Sequence, residues 1–577
     1  MSIHRNNIVV YIISSLWFSV AMPATSQTIE EAWYELPRAD LSQFTHQDTL
    51  RGAVTPERAW WDLVCYHLDV KVDIDNRFLN GINTITYRVL TENKLMQIDL
   101  QEPMKIDDVQ QNGESLEIIR DGNAWFIKLA KAQEPGSLQS VKVSYSGKPR
   151  EAIRAPWDGG FSWSEDSNGN PFIATSNQGL GASVWWPCKD HMYDEPDSMM
   201  MSFTVPRDLV AVANGRLIDA EFTGRDWKTF HWKVRNPINN YGVNLNIGDY
   251  VMFSEVYEGE SGDLDCIYYV LRENEEKARE HFKQVPGMME AFEYWFGPYP
   301  FYEDSYKLVE VPYLGMEHQS SVTYGNGYQN GYRGTDLSGS GWGLKFDFII
   351  IHETGHEWFA NSITYRDVAD MWIHESFINY SECLYVEYFF GKEAGFEYIR
   401  GMRKNIVNDI PVTGIYNVNK EGSGDMYYKG SNMLHTIRQL VGDDEEWREV
   451  LRGLNREFYH QVVTAADIEN YMIEKTGIDL QPVFNQYLRT TMIPTLEYYI
   501  KEEQLHYRWI NVVDGFAMPV EVSLTEGEES VVSPGKKKII LNPTQQWNQM
   551  EIPAEASGLE PVPDYFVGKM QTFYNVQ

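Results

Sequence analysis

His352 and His356 stand four residues apart in His352-Glu353-Thr354-Gly355-His356. On a helix that spacing puts both imidazoles one turn apart on the same face. Two imidazoles so placed reach a single zinc ion at about 2.0–2.1 Å each. Glu353 projects beside them, where a carboxylate can take a proton from a zinc-bound water. A catalytic zinc takes three protein ligands and keeps one position open. Glu375, nineteen residues beyond His356, is the predicted third ligand. It lies in Trp372-Ile373-His374-Glu375-Ser376-Phe377, which opens a second predicted helix. A helix, a short turn and a second helix folded back would bring that carboxylate to the metal. Two neutral imidazoles and one carboxylate leave the centre a single net positive charge, which draws the pKa of bound water toward neutrality. One zinc per chain is expected. The neighbouring His374 reads as a packing or supporting residue rather than a ligand.

The elements that must position these groups follow from the periodicity around them. Leu344 to Ile363 and Met371 to Phe390 read as helices, preceded by a Gly- and Tyr-rich loop from Tyr324 to Gly343. Asn274 to Tyr294, Asn432 to Val441 and Asp443 to Tyr459 read as further helices. Upstream the text is β-like. Tyr66 to Val72 alternates apolar and polar residues, and Met199 to Val205 and Phe230 to Val234 are similar short runs. Asn112-Gly113, Asp121-Gly122 and Asn214-Gly215 punctuate them as turns. Strand-like text returns at Leu496 to Ile500 and Lys538 to Leu541. The expected organisation is a β-rich domain over 27–258, a catalytic domain over 259–490 and a small β-sandwich over 491–577.

Composition narrows the partners. A formal net charge of −34 argues against nucleic acid, whose phosphates need clustered Lys and Arg. It suits a cationic group such as a free α-amine. At the N-terminus, His4 and Arg5, the apolar run Ile8 to Met22 and the small residues Ala24-Thr25-Ser26 read as a signal peptide over 1–26, cut before Gln27. The run is too short for a stable membrane span, so an exported chain, periplasmic or extracellular, is expected. Cys65, Cys188, Cys266 and Cys383 are too scattered for a thiolate metal site. They leave both disulfides and buried thiols open.

At these motifs the chain resembles the aminopeptidase N family of zinc peptidases, which includes the leukotriene hydrolases. That family carries H-E-x-x-H, eighteen residues, then Glu within W-x-x-E-x-F, as His352 through Phe377 do here. His356-Glu357-Trp358-Phe359-Ala360-Asn361 is similar to its H-x-W-x-G-N, with Ala360 in place of Gly. Leu314-Gly315-Met316-Glu317-His318 is similar to its G-x-M-E-N, with Leu314 and His318 departing from the pattern.

The resemblance implies that Glu317 holds the substrate's α-amino group, with Gly315 and Met316 beside it and Gln178, nine residues before Pro187-Cys188, as a second amine-binding group. Tyr427-Tyr428-Lys429-Gly430 looks like the family's Y-x-K-G, which makes Tyr427 the hydroxyl that steadies the oxyanion. The implied architecture is α+β and multidomain: a β-saddle, a thermolysin-like catalytic domain that is mostly α, and a C-terminal β-sandwich. The implied substrate is a peptide with a free N-terminus. The rivals are an endopeptidase or epoxide hydrolase on the same scaffold, or a non-catalytic peptide-binding protein. The N-terminal residue preferred and the oligomeric state are not legible. Trp157, Phe161 and Trp163 are candidates to line the cleft.

Overall fold

The alternation beginning at Trp61 matures into two long paired strands, Trp61–Asp73 and Phe78–Val89, with every second side chain buried over much of their length. Their inward residues, among them Tyr66, Leu68, Val70, Ile85 and Tyr87, open the core of the N-terminal half. The computed structural model describes residues 43–525 and 538–572. The proposed signal peptide, 1–26, lies outside the described residues.

Around the first pair grows an eight-stranded sheet. Its pairings are antiparallel except for Trp61–Asp73 against Ser198–Pro206, which run parallel. A three-stranded sheet and a four-stranded sheet complete this half. The four-stranded sheet matters for the site, because its strand Pro171–Ser176 delivers the loop that carries Gln178.

The expected domain boundary at 258/259 lies within a β-hairpin. It falls at the end of the first strand of the hairpin Tyr250–Gly259 and Gly262–Leu271. The second hairpin strand pairs in parallel with Tyr306–Glu310, and that strand with Val322–Tyr324. The hairpin therefore belongs to the five-stranded sheet of the catalytic half. The two-residue edge strand of that sheet, Gly315–Met316, ends immediately before Glu317.

Four helices surround the metal-ligand residues. The histidine helix, Phe348–Gly355, is shorter than its sequence reading of 344–363. Asp347 starts it by accepting hydrogen bonds from the backbone N–H groups of Ile349 and Ile350. His356 is its C-cap and keeps right-handed helical dihedrals, so the i, i+4 relation to His352 survives the helix end. The glutamate helix, Trp372–Phe390, follows after a turn, and Lys392–Met402 packs against it. The tyrosine helix, Tyr428–Val441, begins directly after Tyr427. The Asn274–Tyr294 stretch forms Glu275–His281 and Val285–Phe296, with Pro286 in the first turn of the second.

The C-terminal strands form a four-stranded and a three-stranded sheet. They share one apolar core with the catalytic helices, running from Ile350 and Leu384 to Trp509 and Val522. Arg400 pairs with Asp564 at 2.7 Å across that junction. All four cysteines are free thiols, three of them buried. No helix among the described residues is long and apolar enough to cross a membrane.

Candidate metal centre and amine site

The histidine helix meets the glutamate helix in the catalytic core, which brings three ligand atoms to one point. The Nε2 atoms of His352 and His356 lie 3.7 and 3.5 Å from Oε2 of Glu375. Atoms bound tetrahedrally to one zinc at about 2.0–2.1 Å stand about 3.3–3.4 Å apart, so the spacing fits a shared ion. Glu375 is buried, and its Oε2 accepts no hydrogen bond. An unsatisfied buried carboxylate oxygen is costly unless a cation faces it. The donor set of two imidazoles and one carboxylate is that of a catalytic zinc site.

The rings are held from behind. His352 Nδ1 donates to Glu382 Oε1 at 2.8 Å, and His356 Nδ1 donates to the Phe359 carbonyl at 3.1 Å. Both acceptors lack a proton to give, so each neutral ring presents its Nε2 lone pair to the metal position. Glu382 is itself bound by Asn379 at 3.1 Å and by the Tyr398 hydroxyl at 2.6 Å. Burial alone would raise the Glu375 carboxyl, but His356 and then His352 outweigh it and hold the carboxyl well below the usual carboxylate range. Burial disfavours charge on both imidazoles, yet the carboxylates around them, Glu375 foremost, raise both. The field at this point favours a cation.

Glu353 faces the same cleft. Burial pushes its carboxyl up to about 7, against the pull of His352. Tyr427 stacks on His352 with centroids 6.0 Å apart. Burial, reinforced by Glu375, Glu317 and Glu353, drives its phenol well above its ordinary value, so it stays a proton donor.

Glu317 closes the arrangement. Burial raises its carboxyl against the attraction of His356. Gln178 donates from Nε2 to Glu317 Oε1 at 2.6 Å and to Glu375 Oε1 at 3.0 Å. Tyr241 donates to the same Glu317 oxygen at 3.2 Å. Asn361 donates to the Glu317 backbone carbonyl at 2.9 Å. All of these line or adjoin a cleft of about 550 Å³, whose wall includes Leu314, Gly315, Met316, Phe348 and Met371.

Residues 281–487 match the peptidase family M1 domain, and residues 64–241 match the peptidase M1 N-terminal domain. The chain belongs to peptidase family M1. It is 23% identical to aminopeptidase N of Lactobacillus helveticus over 469 residues, covering 76% of this chain and 52% of that protein. It is 22% identical to endoplasmic reticulum aminopeptidase 1 of Mus musculus over 341 residues, 56% of this chain and 35% of that one. The chain thus spans about half the length of the first of the curated relatives it matches. Among solved structures, the M1 zinc metallopeptidase of Deinococcus radiodurans aligns with a TM-score of 0.62 at 20% identity, over 76% of this chain and 95% of that one. A mutant of it bound to a Tyr-Ser-Ala substrate gives 0.63 at 19% identity, over 76% and 96%. At that identity the likeness is one of fold.

Two glycines of the M1 motifs have a steric reason. A Cβ on Gly315 would sit 2.5 Å from the Ile349 side chain and 3.2 Å from that of Glu353, so only glycine lets the edge strand lie against the histidine helix. A Cβ on Gly430 would meet the Ser376 hydroxyl at 1.8 Å, where the tyrosine and glutamate helices touch. Ala360 adopts φ 154°, a region that favours glycine, the usual residue there in the resembling motif.

His374 points away from the ligand atoms. Its Nε2 accepts from the Tyr365 N–H at 3.0 Å, and its ring stacks on Tyr365. His318 is also buried and contacts Thr323, with burial lowering it to about 3. Of the three aromatic candidates, Trp157 lines the cleft, while Phe161 is buried and stacks on Trp163. The sequence reading missed Glu382 and Tyr241. Glu382 was within reach of it, because Glu375 and Glu382 are seven residues apart and so share a helix face. Tyr241 arrives from the other half of the chain, and nothing local marks it.

Proposed function

We propose that this chain is a zinc-dependent aminopeptidase that removes the N-terminal residue from peptides. The observation that carries this reading is the Glu317 carboxylate, held by Gln178 and Tyr241 in the same cleft as Glu353 and the ligand triad. His352, His356 and Glu375 would hold the zinc, which when bound supplies Lewis acidity toward the peptide carbonyl and an acidified water. Glu317 receives the substrate's free ammonium group, with Gln178 orienting the carboxylate. That dock fixes the first peptide bond over the centre and limits cleavage to one residue from the end. Glu353 takes the proton of the attacking water at its carboxylate and returns it to the departing amide nitrogen. Tyr427 donates its hydroxyl hydrogen to the carbonyl oxygen as charge develops there.

The reading is tested by comparing paired peptides that differ only in N-acetylation. The free-amine peptide is expected to be cleaved with kcat/KM at least ~100-fold higher, and Glu317→Ala to remove most of that ratio. Equal rates on both peptides would instead indicate an endopeptidase.

We propose a domain division at 27–249, 250–490 and 491–577, supported by the strand pairing of the 250–271 hairpin. The two C-terminal sheets are read as the faces of a β-sandwich over Leu496, Trp509, Val522 and Leu541. Export to the periplasm or medium is proposed from the Ile8 to Met22 run and the small residues after it. N-terminal sequencing of the secreted protein is expected to begin at Gln27; a mature chain that keeps Met1 would contradict this.

A further inference from the structure

The cleft wall carries four carboxylates, Glu317, Glu353, Glu375 and Glu421, and neither lysine nor arginine. Three are occupied. Glu375 faces the two imidazoles, Glu353 stands at the proton-transfer position, and Glu317 is held by Gln178 and Tyr241. Glu421 is different: its side chain is exposed and has neither a hydrogen bond nor an ion pair among the described residues. The adjacent Lys420 does not neutralise it, because its ammonium lies over the Phe44 ring, beside Asp48.

Its place along the cleft is fixed by its neighbours. The segment around it is pinned by Ser423 N–H to the Pro411 carbonyl at 3.0 Å and by Gly414 N–H to the Ala369 carbonyl at 2.9 Å. A Cβ on Gly422 would meet the Val412 carbonyl at 1.9 Å, so the two strands of this loop are in close contact. Asn419 contacts the carbonyl of Gly179, next to Gln178. Burial drives the Tyr365 phenol well above its ordinary value, and Glu317, Glu375 and then Glu421 reinforce that shift. The contact of Asn419 with Gly179 puts Glu421 near the Gln178 loop, in the same cleft as Glu317, whose lining also includes Met371 and Met316. A cleft lined by methionines and an unpaired carboxylate matches a side chain with an aliphatic stem and a cationic head.

We propose that Glu421 selects a basic first residue, its carboxylate receiving the guanidinium or ammonium of an N-terminal arginine or lysine. This rests on the aminopeptidase reading and names the substrate class for the same site. The test compares arginyl and citrullinyl coumarylamides, which match in shape and differ in charge. The wild-type protein is expected to favour the arginyl substrate by roughly tenfold in kcat/KM, and Glu421→Gln to bring that ratio close to one. A ratio near one in the wild type, or an equal fall for both substrates in the variant, overturns the proposal. Calorimetric titration of the zinc-loaded protein with argininamide and citrullinamide reads the same ratio without turnover. If no free-amine substrate is cleaved, the aminopeptidase reading fails, while the binding ratio still decides the role of Glu421.

Discussion

Glu353→Gln is expected to keep one zinc per chain and to lower kcat by roughly 10²- to 10⁴-fold. Glutamine preserves the volume and the hydrogen-bonding outline of the side chain, and Glu353 is not among the three ligands whose atoms converge. What it loses is the capacity to accept a proton. Burial holds the native carboxyl at about 7, close to where a group exchanges protons readily with an acidified water at neutral pH. The check is single-turnover kinetics with zinc content measured on the same sample. Near-native turnover would remove Glu353 from its role as base, and loss of zinc would place it among the ligands instead.

Tyr427→Phe is expected to cut kcat by about 10²- to 10³-fold with little change in KM. The ring stacks on His352, and phenylalanine keeps that contact, so the substitution isolates the hydroxyl. The phenol stays protonated because burial and three nearby carboxylates oppose its ionisation. A donor that acts only as charge builds on the carbonyl oxygen stabilises the transition state and not the bound substrate. Steady-state kinetics on an aminoacyl anilide would reveal this. An effect confined to KM would reassign Tyr427 to ground-state binding.

Much of the site could be read from the sequence because its parts lie on periodic elements. His352 and His356 are one turn apart, and Glu375 sits where Trp372–Phe390 begins, within a residue of the expected Met371 start. The histidine helix was read too long because Ile349 to Ile351 and then Trp358-Phe359 continue an apolar pattern. The chain in fact leaves the helix after Gly355, and Trp358 packs elsewhere, donating its indole hydrogen to the Gly297 carbonyl. The Asp347 cap was a local signal that marked the true start.

The sheet that the 250–271 hairpin joins was hidden for a different reason. Strand-like text runs unbroken past Tyr250, and alternation shows that a segment is a strand without showing which sheet it joins. Only its pairing with Tyr306–Glu310 assigns it to the catalytic half. Tyr241 was beyond reach because it comes from a loop distant in sequence to contact Glu317, and Glu421, only six residues before Tyr427, because nothing local shows that it faces the cleft. Glu317 was legible through its motif, whereas its grip by Gln178 and Tyr241 required the two halves to be seen together.

The central claim is that two imidazoles and one carboxylate converge on a single zinc ion. Zinc K-edge absorption on the purified protein tests it most directly, with the Glu375→Ala variant measured alongside. The expected result is one zinc per chain with two imidazole nitrogens and carboxylate oxygen at about 2.0–2.2 Å, and loss of the carboxylate scatterer with weakened zinc retention in the variant. A metal-free protein that does not take up zinc, or a native-like zinc environment that persists without Glu375, would contradict it.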